Sequence, residues 1–135
     1  MFVRIKGKTK NIYLPVTPST ALPARSLVTM SGGKLVAAVA GTAADDLFGV
    51  LIGEILATDD DYADDRRVAV EVPVEANVVY EFDTASLVAT DIGNDVDLTD
   101  NLTVNRGATA IGVVRPVAVI TTTLGRGYVK INGSY

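Results

Sequence analysis

Residues 67–73 read Arg67-Val68-Ala69-Val70-Glu71-Val72-Pro73, and this stretch decides the fold class. Val68, Val70 and Val72 fall on one side of an extended chain, Arg67, Ala69 and Glu71 on the other. Period-two alternation marks a half-buried strand; a helix repeats its apolar positions every three or four residues. Downstream, Val78–Phe82 (VVYEF) is β-branched and aromatic, as strands prefer. Upstream, residues 48–57 (FGVLIGEILA) form an apolar run broken by Gly49 and Gly53. Two glycines weaken a short helix, so a buried strand with a bulge or a close backbone approach fits better. Further upstream, Leu27–Met30 and Lys34–Val39 flank Ser31-Gly32-Gly33 and read as a hairpin. Toward the C-terminus, Ala110–Val114, Val117–Thr123 and Tyr128–Ile131 read as three short strands with a bend at Pro116. Ser86–Ala89 and Val96–Leu98 are weaker strand candidates. The best helix signal is Thr42–Leu47, with Thr42 as cap and Asp45 three residues on, as in a capping box; Asp59–Asp65 is a second option that reads better as a solvated loop. Short strands separated by turn residues predict an all-β fold, a small β-barrel or sandwich with at most one short helix.

Residues 1–24 differ from the rest. They hold Pro15, Pro18 and Pro23, three of the five prolines. Proline fixes φ and pushes its predecessor to extended geometry, so this stretch is not a helix. Arg4, Lys6, Lys8 and Lys10 alternate, which places them on one side of an extended segment, with Phe2 as an apolar anchor. Two readings stand: an extended N-terminal arm over 1–24 that lies on a neighbour of a β domain over 25–135, or an edge strand on which Lys blocks unwanted pairing.

Charge is partitioned along the chain. Residues 1–44 carry six cations and no acid; residues 45–100 carry all sixteen acids against Arg66 and Arg67; residues 101–135 carry four cations and no acid. The blocks sum to +6, −14 and +4, and the whole to −4. Opposite charge on separate surfaces favours contact between copies or with a charged partner, unless the fold interleaves the blocks and neutralises them. An acidic chain is not the composition of a nucleic-acid binder. No apolar run is long enough to span a membrane, and MFVRIKGKTK lacks the apolar core of a secretory signal, so a soluble protein is expected. The 135 residues predict one domain with a genuine core.

The chain has no Cys, His or Trp. The commonest general base, the soft metal ligands and the thiol nucleophile are therefore missing, which argues against an enzyme and identifies no catalytic residue and no metal ligand. Two acidic clusters remain. Asp59, Asp60, Asp61, Asp64 and Asp65 crowd seven positions and precede Arg66-Arg67. They lack the glycine and spacing of a calcium-binding loop, so they read as a solvated loop or as an acidic contact for a basic segment of another copy. Asp91, Asp95 and Asp97 lie among Gly93, Asn94 and Asn101; side-chain bonds to backbone amides make this a turn builder, with cation-assisted hydrolysis as the sharper alternative. Gly32-Gly33 and Gly125-Arg126-Gly127 match no phosphate-cradling pattern and read as turns.

The order of elements from Ser26 to Ile131 resembles the capsid decoration (cement) proteins of tailed bacteriophages. The likeness rests on the hairpin Leu27–Val39, the Gly41–Leu51 stretch GTAADDLFGVL, the Val68–Val72 strand, and the Ile111–Val114 strand IGVV with a last strand after it. It implies a structural virion protein on the outer surface of the capsid, made in the host cytoplasm. It further implies a homotrimer that binds the major capsid protein and stabilises the shell, with no cofactor, nucleic acid or membrane. Phe2, Arg4, Lys6, Lys8 and Lys10 are then the candidate arm contact. The alternative function is a carbohydrate- or cell-surface-binding β module of a fibre or head appendage, drawing on Tyr62, Tyr80, Tyr128 and Tyr135.

Overall fold

The structure, a computed structural model, describes residues 1–133. Among the described residues there are eleven strands: β1 Phe2–Lys6, β2 Thr9–Pro15, β3 Leu27–Ser31, β4 Lys34–Ala37, β5 Leu47–Leu51, β6 Arg67–Pro73, β7 Val79–Thr84, β8 Asp97–Leu98, β9 Thr103–Asn105, β10 Val114–Thr121 and β11 Leu124–Val129. The fold is all-β, and the helical content of the described residues is two single 3-10 turns, Ala44–Asp46 and Ala89–Asp91.

The strands form two sheets. One runs β2-β6-β5-β3-β4, antiparallel throughout. It rolls until the chain just past β2 meets β4, where Val16 bridges Leu35 and the Thr17 amide donates to the Leu35 carbonyl at 3.1 Å. Leu27 and Val28 are both sealed from solvent, as are Val50 and Leu51. Adjacent strand residues point to opposite faces, so β3 and β5 are covered on both sides, which is why residues 47–51 are a continuous apolar run. The second sheet runs β10-β11-β7-β9-β8, with β1 also on β7. The second edge of β7 is shared: β1 takes Val79–Phe82 and β9, in parallel, takes Asp83 and Thr84.

The two sheets are joined by one bent ribbon. β1 pairs with β7 in the second sheet and β2 with β6 in the first, and both connections turn at the same corner. Gly7 makes that turn at φ +101°, and a side chain there would meet Val78 at 2.9 Å. Only glycine satisfies both the left-handed backbone and the contact.

The N-terminus is therefore no separate arm. The expected division into an arm over 1–24 and a domain over 25–135 is corrected: β1 and β2 are sheet members, and Val16 and Leu22 are core residues bridged to Leu35 and Ile55. The four basic residues do not share one strand side, because the chain bends at Gly7: Arg4 and Lys6 lie in β1, Lys10 in β2 of the other sheet, and Lys8 in the turn between them. Phe2, expected as an anchor on a neighbour, is 0% exposed and packs on the Phe82 ring at a centroid distance of 6.4 Å. Burying a phenylalanine in its own core outweighs offering it to a partner.

Other expectations are met or revised by particular contacts. The hairpin at Gly32-Gly33 is β3–β4. Gly49 is the site of close approach, since a Cβ there would sit 2.7 Å from the Glu71 carbonyl; Gly53 faces open space beyond the end of β5. Pro116 does not divide two strands: β10 runs through it on the sheet edge, where a missing amide costs no ladder bond, and a register shift absorbs the distortion. Residues 110–113 form no strand, and Ser86–Ala89 leads into a 3-10 turn. Thr42 caps no helix; its hydroxyl accepts the Val39 amide at 2.9 Å.

Candidate functional site

The charge blocks of the sequence are interleaved by the fold. Cations from both ends reach acids of the middle block: Lys34 pairs with Asp65 at 2.7 Å, Arg126 with Glu81 at 3.1 Å, and Arg115 and Lys130 with Asp95 at 2.7 and 3.4 Å. Arg4 and Arg25 approach the buried Glu71 at 3.5 and 3.9 Å, and Thr9 donates to it at 3.3 Å. Of the two readings of the charge blocks, separate surfaces of opposite sign or interleaving by the fold, the ion pairs follow the second. Antiparallel pairing sets the N- and C-terminal strands beside β6 and β7, so the blocks neutralise each other within one chain.

Glu71 is the polar pin between the layers. It projects from β6 of one sheet toward Arg4 of β1 in the other, and its Oε1 and the Tyr80 hydroxyl are buried without a hydrogen-bond partner. Burial, then the negative charge of Glu71, push the Tyr80 phenol above its ordinary range, so it stays neutral. The solvent-inaccessible Tyr80 is thereby excluded as a ligand-stacking aromatic. Tyr62 is partly buried, its hydroxyl donating to the Ser19 carbonyl at 2.8 Å, and Tyr128 is partly buried on β11. Tyr135 lies outside the described residues. Among the described residues the most exposed tyrosine is Tyr13, at 64%, which was not among the candidates read from the sequence.

The second acidic cluster builds structure. Asp97 accepts the amides of Ile111 and Gly112 at 2.9 and 2.6 Å, fixing the loop before β10. Asp91 accepts the Val88 amide at 2.9 Å and a two-pronged contact from Arg106, at 2.7 and 3.0 Å. These donors, led by the Arg106 guanidinium, hold the Asp91 carboxyl below its usual value against the opposing effect of burial. A depressed folded pKa gives stability that is full above the unfolded value, about 3.9, and is lost as pH falls through the lower folded value. Arg106→Leu is therefore expected to lower the melting temperature at neutral pH. The gap to wild type should close in acid below about pH 4, as measured by melting curves across a pH series. Among the described residues no group of three acids is placed to hold a metal ion.

The first acidic cluster is partly consumed. Asp59 accepts from the Leu56 amide at 3.0 Å and from Arg66 at 3.1 Å; Asp61 also pairs with Arg66, and Asp65 with Lys34. The Leu56 amide, then the Arg66 side chain, lower the Asp59 pKa. Asp60 and Asp64 have no ion-pair partner among the described residues and project from an exposed loop.

The unpaired cations collect elsewhere. Arg67 apart, the cations without an ion pair among the described residues are Lys6, Lys8 and Lys10, all at the Gly7 corner. The corner is stiff: the Lys8 carbonyl accepts the Val74 amide at 3.1 Å and the Lys8 amide donates to Glu75 at 2.8 Å. The β2–β6 ladder runs from Thr9↔Pro73 at this corner to Pro15↔Arg67 beside the acidic loop. At about 3.3 Å per residue, the two unneutralised ends stand roughly 20 Å apart. Of the candidate contact residues, Lys6, Lys8, Lys10, Asp60 and Asp64 thus remain free; Phe2, Arg4, Asp59, Asp61 and Asp65 are committed within the chain.

Beside the lysine corner lies a cleft of about 480 Å³, lined by Val72, Pro73, Val74, Glu75, Ala76, Ile131 and Asn132. Sequence reading missed it because its walls come from β6 and from the segment after β11, far apart in the chain. No helix among the described residues is long and apolar enough to cross a membrane. No family model matches the chain, and no curated protein matches it in sequence.

Proposed function

We propose that the protein is a structural component of a tailed-phage virion that binds the major capsid protein on the outer shell and braces it, without catalysis. The observation that supports this reading is the placement of residual charge. Among the described residues, three of the four cations without an ion pair, Lys6, Lys8 and Lys10, gather at one end of the rigid β2–β6 ladder, and the unpaired Asp60 and Asp64 stand beyond its other end. Unneutralised charge on a stiff double-ended block suits contact between protein surfaces, one end for a neighbouring copy and the other for the shell. Several weak contacts on an assembled lattice then multiply into tight binding.

The test is to mix the purified protein with undecorated phage shells and image them. The wild type should coat the shells and raise their resistance to heat. Asp60→Lys/Asp64→Lys and Lys6→Glu/Lys8→Glu/Lys10→Glu should each weaken coating at least about tenfold at moderate salt, a loss of about 1.4 kcal/mol or more. Substitution is preferred to removal of residues 1–12, because removal takes Phe2 and β1 out of the core. Shells left bare by the wild type, or coated equally by all three proteins, overturn the reading.

A further inference from the structure

We infer that the cleft beside the Gly7 corner is a self-complementary docking surface, and that its partner is a second copy of this chain related by a two-fold axis. The inference uses the bracing reading only in treating this end as a contact surface; it concerns association in solution, with no shell present.

The cleft is flanked by charge of both signs. On one wall, Lys10 is the cross-strand partner of Val72, and Lys8 is bonded to Val74; both Val72 and Val74 line the cleft. On the opposite wall, Asn132 lines the cleft, and the next residue, Gly133, donates to the Ala44 carbonyl at 3.0 Å. That bond brings Asp45 against Gly133, close enough that a Cβ there would touch the carboxylate. Asp46 follows in the same 3-10 turn, and both carboxylates belong to exposed residues. Lys8, Lys10, Asp45 and Asp46 have no ion-pair partner among the described residues. Glu75 also lines the cleft on the lysine side, where its carboxylate accepts the Lys8 amide at 2.8 Å, so Lys8 and Lys10 leave that rim with a net charge of +1 while Asp45 and Asp46 make the opposite rim negative.

A two-fold axis exchanges the walls. The lysines of one copy face the aspartates of the other and, by symmetry, the reverse, so both halves are satisfied at once. Between them sit apolar surfaces: Val74 is 51% exposed beside the nearly buried Val72 and Ile131. Apolar contact in the middle with ion pairs at the rim is the ordinary build of a protein interface. The acidic loop at the far end of the ladder remains uncovered in such a pair, which leaves two outward-facing acidic ends about 40 Å apart, twice the ladder length.

The experiment is a charge exchange read by sedimentation equilibrium and native mass. Lys8→Glu/Lys10→Glu and Asp45→Lys/Asp46→Lys are surface changes whose folding is checked by circular dichroism. The wild type should be a dimer that weakens with added salt. Each variant alone should associate at least about tenfold more weakly, since like charges then face each other. An equal mixture of the two should restore a mixed dimer, because every reversed lysine meets a reversed aspartate. The inference is overturned by a monomeric wild type, by a three-chain mass, or by variants that dimerise unchanged. It is also overturned if the lysine variant is rescued by Asp60→Lys/Asp64→Lys instead, which would make the contact head-to-tail. Bare shells together with a charge-exchange dimer would reject the virion reading and keep this one.

Discussion

Phe2→Ala is expected to destabilise the protein by about 4 kcal/mol, the usual cost of truncating a fully buried phenylalanine. For a chain of this length that corresponds to a fall of roughly 14 °C in melting temperature. The residue is second in the chain, where truncation is commonly harmless. Here it is anchored from three directions. Its ring packs on Phe82, its amide donates to the Arg25 carbonyl at 2.8 Å, and the N-terminal amine before it pairs with Asp83 at 2.6 Å. Thermal or urea unfolding of Phe2→Ala and of Ile5→Ala gives the comparison. Ile5 is 44% exposed on the same strand and should lose much less. Equal and small losses for both would show that β1 leaves the sheet in solution, as a mobile arm does.

The alternation at 67–73, the hairpin at Gly32-Gly33 and the apolar run through Gly49 were legible because each is a local rule: side-chain period, left-handed glycine, absence of a polar face. β9 was not legible. Thr103–Asn105 is three residues long and exists because β7 extends past the end of β1, leaving Asp83 and Thr84 to be paired. The fate of the N-terminus was equally hidden. Prolines and alternating lysines describe an extended chain well, but extension is shared by an arm and by a strand. Only the complementary edge of β7, some eighty residues away, decides between them.

The charge blocks carry a similar lesson. Their separation in sequence is real, yet β1 is laid beside β7, and β10 and β11 flank β7 on its other edge, so the pattern is folded shut. What survives is the residue left after pairing, and it is more informative than the blocks. Lys6 and Lys10 stay free because the residues opposite them, Val79 and Val72, carry no charge, and Lys8 lies in the turn between the two strands. Asp45 and Asp46 stay free because the 3-10 turn that carries them projects from the sheet. Neither fact is written in composition, and together they turn an unremarkable cleft into a surface with two signs.

Gly127→Ala is expected to be at least as damaging as Phe2→Ala. Gly127 lies in β11 between β10 and β7, opposite Pro116 on one side and Tyr80 on the other. A Cβ added there would overlap the Arg115 carbonyl oxygen and lie 2.9 Å from the Pro116 Cα. Both are backbone atoms, so no side-chain rotation relieves the overlap. β10 must move away, and with it goes the ladder that holds the edge of the six-stranded sheet. Gly32→Ala supplies the control, since a Cβ there meets nothing within 4 Å and only the left-handed turn resists it, at φ +57°. That strain costs on the order of 1–2 kcal/mol. Hydrogen exchange reads the difference: Gly127→Ala should lose protection along β10 and the facing part of β11 while the rolled sheet keeps its own, whereas Gly32→Ala should lower stability without selective opening. Retained protection in β10 would mean that the two strands part by less than one added methyl requires, and the close approach of Gly127 to Arg115 would then be refuted.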